Sequence, residues 1–283
     1  LVTTTEPALG ALAPRIERTP GVATRAWIDR LAATECPAIT ARRSRRRAEP
    51  GGVDPIVWAE ARGANVVDVE GNRYVDLSAG FGVAAVGHAH PRVTEAIAAQ
   101  AGTLIHAMGD LFPSRPKVEL GERLAALTPG DLQHSILGAN GSDAVEAAIK
   151  TALVATGKRR VLAFSGSYHG MSLGALGVSG YRDAFRRPFA AFAGANELRL
   201  PYPTCNACPF EHTWPGCKHA CVRALERALG SDVGGAEDVA AVIVEPLLQC
   251  AGGMRMHHPA YLRRMRELCD AHGAFLIADE IAT

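Results

Sequence analysis

No stretch of this sequence is long and apolar enough to span a membrane. The start, Leu1-Val2-Thr3-Thr4-Thr5-Glu6, lacks the basic and apolar regions of a secretory leader. Net charge is nearly absent at +1, so no global field favours nucleic acid or a membrane surface. Internal repeats and low-complexity segments are missing. There is no Gly-Lys-Ser/Thr, which excludes a Walker phosphate loop. There is also no Gly-x-Gly-x-x-Gly: Leu137 to Ser142 offers only Gly138-x-x-Gly141, which argues against a Rossmann oxidoreductase. Cysteine is present but odd in number, at seven. Without a leader, that count argues against a disulfide framework and for a reducing cytoplasm.

What is present is an ordinary globular composition, 48% hydrophobic and 21% charged over 283 residues, enough chain for a large core and two domains. The first residue is not Met, and the last follows directly on an expected strand, so both ends read as truncated. Residues 1–55 read as an N-terminal arm. Within it, Val22 to Thr34 reads as a helix. Ala41-Arg42-Arg43-Ser44-Arg45-Arg46-Arg47 reads as a solvated linker, since no aromatics interleave the arginines to favour nucleic acid. Residues 56–90 carry three short strands, at Val57 to Ala61, Asn65 to Val69 and Arg73 to Asp76, followed by a small, glycine-rich segment around Phe81. His88 and His90 have no metal-motif spacing, and a turn before a helix at Pro91 is preferred.

Residues 91–283 read as one large, incomplete domain. After amphipathic helices at Pro91–Thr103 and Pro116–Leu127, strand and helix alternate: strand Ser135–Leu137, helix Asp143–Thr156, strand Val161–Phe164, an irregular stretch from about Gly180 to Gly216, helix His219–Leu229, strand Val239–Val244, helix Pro259–His272, strand Phe275–Ala278. This alternation predicts an α/β fold with a mixed, mostly parallel sheet flanked by helices. In such a sheet the ligand crevice lies at the carboxyl ends of the strands.

Four of these strands end in chemistry. Gly138-Ala139-Asn140-Gly141-Ser142-Asp143 leads into a helix whose N-terminus suits a phosphate, although a plain helix cap on Ser142 or Asp143 explains it equally. Ser165-Gly166-Ser167-Tyr168-His169-Gly170 puts an aromatic at a strand tip, with a histidine able to buttress it. Glu245 ends an apolar strand. Asp279 and Glu280 end the last apolar run, which reads as a buried strand. A carboxylate there can hold a proton on a heterocyclic nitrogen, as the acid beside the pyridine nitrogen of pyridoxal phosphate (PLP) does; an acidic helix cap is the plainer reading of Asp279 alone. Four such segments in register favour one shared crevice.

At this point the chain resembles the class III PLP-dependent aminotransferases, over about residue 55 to the end. Asn140 to Lys150 is similar to their phosphate-cup helix, Tyr168-His169-Gly170 to their aromatic-His-Gly, and Ile243-Val244-Glu245-Pro246 and Ile277-Ala278-Asp279-Glu280-Ile281 to their two strand-end acid motifs. Asp76 through Pro91 resembles their N-terminal substrate-side segment. The resemblance implies a fold-type-I PLP enzyme with an N-terminal small domain, working as a homodimer. It implies phosphate held at Gly141 and Ser142, the ring between Tyr168 and Ile281, the pyridine nitrogen on Asp279, Glu245 near substrate and cofactor, and Phe81 facing substrate. The reaction it implies is amino transfer from an ω-amino acid, amine or diamine to a 2-oxo acid, ping-pong through pyridoxamine phosphate.

The family's Schiff-base lysine follows well beyond the Asp-Glu motif. None of Lys117, Lys150, Lys158 and Lys218 matches it, so the chain by itself is expected to be truncated before the lysine and inactive. Members acting on acetylornithine or 4-aminobutyrate carry Arg directly after His-Gly, where this chain has Met171. Glu245 to Met256 is closest to the diaminopelargonate aminotransferases of biotin synthesis, which use adenosylmethionine as donor, yet Phe81-Gly82 stands where those carry two tryptophans. Cys205-x2-Cys208-x8-Cys217-x3-Cys221 lies in a cysteine-rich insertion at about 200–221. By count it fits structural zinc or an iron–sulfur cluster, while a set of reduced thiols in a packed insertion is the plainer reading. A non-catalytic metal-binding protein on a decayed PLP scaffold is the rival this cluster supports.

Overall fold

The computed structural model describes residues 12–17, 21–52, 55–109, 111–192, 197–213, 216–217, 219–230 and 236–283. The first residues of the arm, and Lys218, lie outside them. The chain divides into two compact units, Leu1–Ser114 and Arg115–Thr283.

In the first unit, α1 (Val22–Thr34) is followed by α2 (Pro37–Ala48). The arginine run expected as a linker is therefore helical. Pro37 supplies a pre-set first turn and arginine is a good helix former, so the segment is helical even with no buried face. Strands β1 (Trp58–Arg62), β2 (Asn65–Asp68) and β3 (Arg73–Val75) form an antiparallel sheet in that order. Asp68 organises the β2–β3 turn: its carboxylate accepts from the backbone of Glu70 and Asn72 and from the Tyr74 hydroxyl. Downstream, the His88 ring lies 2.8 Å from the Asp76 carboxylate and is the main reason that acid is held down to about 2. The histidine thus has a structural partner. Helix α3 (Pro91–Thr103) completes the elements of this unit.

The second unit contains α4 (Arg115–Leu127), α5 (Gly141–Thr156), β4 (Arg160–Phe164), α6 (Leu173–Val178), α7 (Asp183–Arg186), β5 (Glu197–Leu200), α8 (Ala220–Leu229), β6 (Val239–Val244), β7 (Leu248–Gln249), β8 (Arg255–Met256), α9 (Pro259–Ala271) and β9 (Phe275–Ala278). The main sheet runs β5-β4-β6-β9 and every pairing is parallel. The central strand β6 is buried on both faces, the reason it is apolar at all six positions. Leu162, Phe164, Val242 and Val244 point to one face and pack with Leu225 of α8 and Tyr261 and Met265 of α9. Val161, Ala163, Ala241 and Ile243 point to the other and pack with Val145 and Ile149 of α5 and Ala175 and Val178 of α6. The period of two along each strand assigns the two cores. No helix among the described residues is long and apolar enough to cross a membrane.

The structure corrects three further expectations. Ser135–Leu137 forms no strand, because no ladder partner exists for it among the described residues; Ile136 is 69% exposed. Conversely, β5 lies inside the stretch read as irregular. Glu197 and Arg199 hide its alternation, and it is a strand through its backbone pairing with β4. Finally, β9 is half-exposed rather than buried, since it pairs only with β6 and stands at an edge of the described sheet.

Candidate active site

Because β4, β6 and β9 are parallel and in register, their carboxyl ends deliver Ser165, Glu245 and Asp279 to one side of the sheet. Asp279 continues the ladder by donating its backbone N–H to Val244. Three of the four expected strand-end segments are thus strand ends; the fourth, at Gly138–Asp143, reaches the same place as the start of α5.

Asn140 caps that helix. Its side-chain oxygen accepts from the Asp143 amide at 3.1 Å, and the Asp143 carboxylate accepts in return from Ala139. The expectation of Ser142 or Asp143 as cap is corrected: Asn140 has the extended backbone a cap needs. Ser142 is left with a hydroxyl that accepts from the Met171 amide at 3.1 Å. The amides of Gly141 and Ser142, in the first turn, have no intrahelical acceptor. They form one end of a cleft that also includes Tyr168, Met171, Asp279 and Ile281. The Ile281 side chain reaches to 3.8 Å from where a Cβ on Gly141 would stand.

The loop after β4 is tied down on several sides. The Ser167 hydroxyl donates to Phe164 O, and the His169 amide donates to the Ser179 hydroxyl. The His169 ring, fully enclosed, places Nδ1 2.7 Å from Asp279 Oδ2. A carboxylate only accepts, so the proton of that bond sits on Nδ1. Asp279 Oδ1 accepts from the Ile281 amide. Sequence reasoning gave His169 the task of buttressing Tyr168; the bond it makes is to Asp279. Gly170 follows with φ +121°, pressed against Ser142. Neither partnership has a sequence signal, because 110 positions separate His169 from Asp279.

Glu245 is 3% exposed and lies beneath the loop, where it accepts from the Tyr168 amide. Burial raises its carboxyl to about 7, and the neighbouring Asp279 charge adds to the rise. A folded-state pKa above the unfolded value means the native state holds the extra proton between about 4.5 and about 7. Stability contributed by the neutral acid is therefore present at low pH and is lost as pH rises through that window. Glu245→Gln keeps an acceptor for Tyr168 and removes the titration. It is expected to flatten the pH dependence of unfolding between those limits and to stabilise the protein above it by about 2–3 kcal/mol, read by denaturant titration at several pH values. An unchanged slope would reassign the burial penalty elsewhere.

Phe81 belongs to the first unit. It is 96% exposed at φ +60° in a tight turn. The four cysteines at 205, 208, 217 and 221 are free thiols around a separate small cleft. Among the described residues no three His, Cys, Asp or Glu side chains are grouped to hold a metal ion. Of the lysines, Lys150 pairs with Glu146 on the exposed side of α5, Lys158 binds the carbonyls of His272 and Gly273, and Lys117 is on α4. No lysine lines the main cleft among the described residues.

Comparison with known proteins gives a concordant result. The aminotransferase class-III family profile matches residues 48–283. The chain is 36% identical over 234 residues to a 5-aminovalerate aminotransferase of Pseudomonas aeruginosa, covering 82% of this chain and 53% of that protein. It is 39% identical over 241 residues to an adenosylmethionine-8-amino-7-oxononanoate aminotransferase of Synechococcus elongatus, covering 81% and 53%. Among solved structures, an amine transaminase from an uncultivated Pseudomonas species, in a PLP-bound form, superimposes with a TM-score of 0.72 at 30% identity over 82% of this chain and 53% of that one. The chain spans about half the length of the curated relatives it matches.

Proposed function

This chain belongs to the class-III aminotransferases, and from that premise we propose that the complete protein transfers an amino group from an ω-amino acid, amine or diamine to a 2-oxo acid with PLP as cofactor. The observation that carries the reading is the Asp279 carboxylate, fixed by His169 at 2.7 Å in the cleft that also holds the start of α5.

The residues present fit the cofactor. Gly141 and Ser142 offer amides and a hydroxyl at a helix N-terminus, a setting that favours a phosphate. Gly170 has no side chain to displace the Ser142 hydroxyl. Tyr168 and Ile281 line the same cleft and are the aromatic and aliphatic walls for a flat ring. When bound, PLP supplies an aldehyde carbon that takes the donor nitrogen and a ring that stores the electron pair released there.

The chain's own residues do the rest. Asp279 holds a proton on the ring nitrogen; His169 keeps that carboxylate from rotating away. Gly141 and Ser142 bind the phosphate and so set the ring's register against Asp279. Glu245, from beneath Tyr168, is a site acid that changes protonation near neutral pH. For Phe81 the family resemblance implies a substrate-facing role. The lysine implied by the family resemblance follows the Asp-Glu motif, and Lys117, Lys150, Lys158 and Lys218 all precede it. The complete enzyme is a cytoplasmic homodimer in this reading.

The reading is tested by offering the complete protein a 2-oxo acid with a series of amino donors and measuring the amino acid formed. Failure with every pair removes it. Turnover with S-adenosylmethionine as donor would select the diaminopelargonate reaction, which the identity to the Synechococcus elongatus protein favours as the second reading. In the same assay Met171→Arg is expected to raise kcat/KM for 4-aminobutyrate or acetylornithine roughly tenfold relative to a neutral amine, because a guanidinium gives the distal carboxylate a bidentate partner. Met171 is 45% exposed in the cleft, so the longer side chain has room. An unchanged ratio would show that position 171 does not face the donor.

A further inference from the structure

Glu245 lies buried beneath the Tyr168 loop, and the short hairpin β7–β8 follows it directly in the chain. Gln249, on β7, is 0% exposed. Its Nε2 donates to Ser165 O at 3.1 Å, which ties the hairpin to the loop after β4. The same side chain reaches the Glu245 carboxyl and favours its charged form. An amide nitrogen carries two hydrogens, whereas a backbone carbonyl and a carboxylate only accept. Gln249 therefore has one hydrogen for each, and Ser165 O fixes which way the amide faces.

The other end of the amide agrees with that orientation. Oε1 is buried with no donor among the described residues. Two glycines leave the space it fills: a Cβ on Gly166, at φ +85°, would stand 2.6 Å from it, and one on Gly252 would collide with it. Turning the amide over would set Oε1 against two acceptors. The orphaned oxygen is what remains when the nitrogen serves both. A buried acceptor without a partner opposes folding, so packing alone does not call for an amide here.

The remaining groups act on Glu245 from several sides. Tyr168 and Cys250 present backbone amides to its carboxyl, and Asp279, after β9, presents a like charge. Tyr202, after β5, donates its hydroxyl to the Glu245 backbone oxygen at 3.1 Å. His257, after β8, accepts from the Leu247 amide through Nε2, and burial lowers its pKa, so it brings no charge. Arg255 stands opposite Gln249 in the hairpin. Burial and Asp279 push the Glu245 carboxyl up to about 7, and Gln249 is a side-chain donor that opposes them.

We propose that Gln249 is the positioning residue of the site acid: its amide joins the Tyr168 loop to Glu245 and governs which charge state Glu245 carries beneath the aromatic wall. The proposal rests on the reading of Glu245 as a site acid of amino transfer and names the residue that regulates it, although Gln249 does not line the cleft.

The test uses the full-length, cofactor-loaded enzyme. Infrared difference spectra across pH follow the C=O stretch of the neutral Glu245 carboxyl, assigned by its loss in Glu245→Gln. The midpoint is expected near about 7 in the unmodified enzyme. Gln249→Met is expected to move it upward by roughly one to two pH units, the scale of one lost hydrogen bond to a charged group. Gln249→Glu, nearly the same shape, replaces the donor with a carboxyl and should move it upward at least as far; it serves if the methionine variant does not fold. The pH at which kcat for amino transfer changes should move by the same amount. In a Glu245→Gln background, Gln249→Met should leave the pH profile of kcat unchanged, which a merely structural role would not predict. A midpoint that stays in place or falls, or a profile that still shifts in the Glu245→Gln background, overturns the proposal. If the unmodified enzyme transfers no amino group, the amino-transfer reading fails, and the infrared midpoint still decides the role of Gln249.

Discussion

Asp279→Asn in the full-length enzyme is expected to leave the fold and cofactor binding intact and to cut kcat by roughly 100- to 1,000-fold, the scale seen when a preorganised electrostatic partner is removed. Asparagine has the same shape, and its amide oxygen can still accept from His169 Nδ1, now 2.7 Å from Oδ2. What disappears is the negative charge that holds a proton on the ring nitrogen. The phosphate contacts at Gly141 and Ser142 lie elsewhere in the cleft and are not altered. Asp279→Glu is expected to be nearly as poor, because an extra methylene moves the carboxylate off both His169 and the Ile281 amide. The measurement is kcat beside the cofactor's absorbance; near-normal turnover in Asp279→Asn would remove this residue from the site.

The second large effect comes from a residue with no functional group. Gly170 has φ +121°, and a Cβ there would collide with the Ser142 hydroxyl oxygen and lie 3.1 Å from Ser142 Cα. Moving the Ser142 side chain relieves only the first contact; the second involves backbone. Gly170→Ala is therefore expected to destabilise the protein by roughly 2–4 kcal/mol through combined overpacking and dihedral strain. It should also weaken cofactor binding, since the hydroxyl displaced is one of the phosphate's partners. Gly253→Ala separates the two causes. Its φ is +106°, but nothing lies within 4 Å of the added methyl, so only the conformational penalty of about 1 kcal/mol remains. Denaturant titration and a cofactor titration on both variants check this. Equal losses at 170 and 253 would show that the approach to Ser142 does not matter.

Local chemistry made much of this protein legible. The alternation of apolar β runs with amphipathic helices fixes a parallel sheet, and Val239–Val244 could be read as a doubly buried strand because all six residues are apolar. The run Pro91–Thr103 begins on a proline and coincides with α3. Elements failed to read where backbone pairing or a distant partner decides. Glu197-Leu198-Arg199-Leu200 looks like loop and is strand through β4. Ser135–Leu137 looks like strand and is not one for want of a ladder. The arginine-rich segment was judged by its charge, whereas intrinsic helix propensity governs an exposed stretch.

The sequence by itself therefore determined the fold class and put Gly141, Ser142, Tyr168, Glu245 and Asp279 at the ends of local elements, while Ile281 joined them only through the family resemblance. Helices, and strands as apolar throughout as β6, are set by nearby residues, so a linear reading reaches them. Tertiary structure decided how these groups act on one another. It alone joined His169 to Asp279, pressed Gly170 against Ser142, and buried Glu245 until its carboxyl rose to about 7. Each of these depends on a distance between segments far apart in the chain, or on the solvent excluded around a charge, and the order of residues encodes neither quantity until the parallel strands bring their ends together.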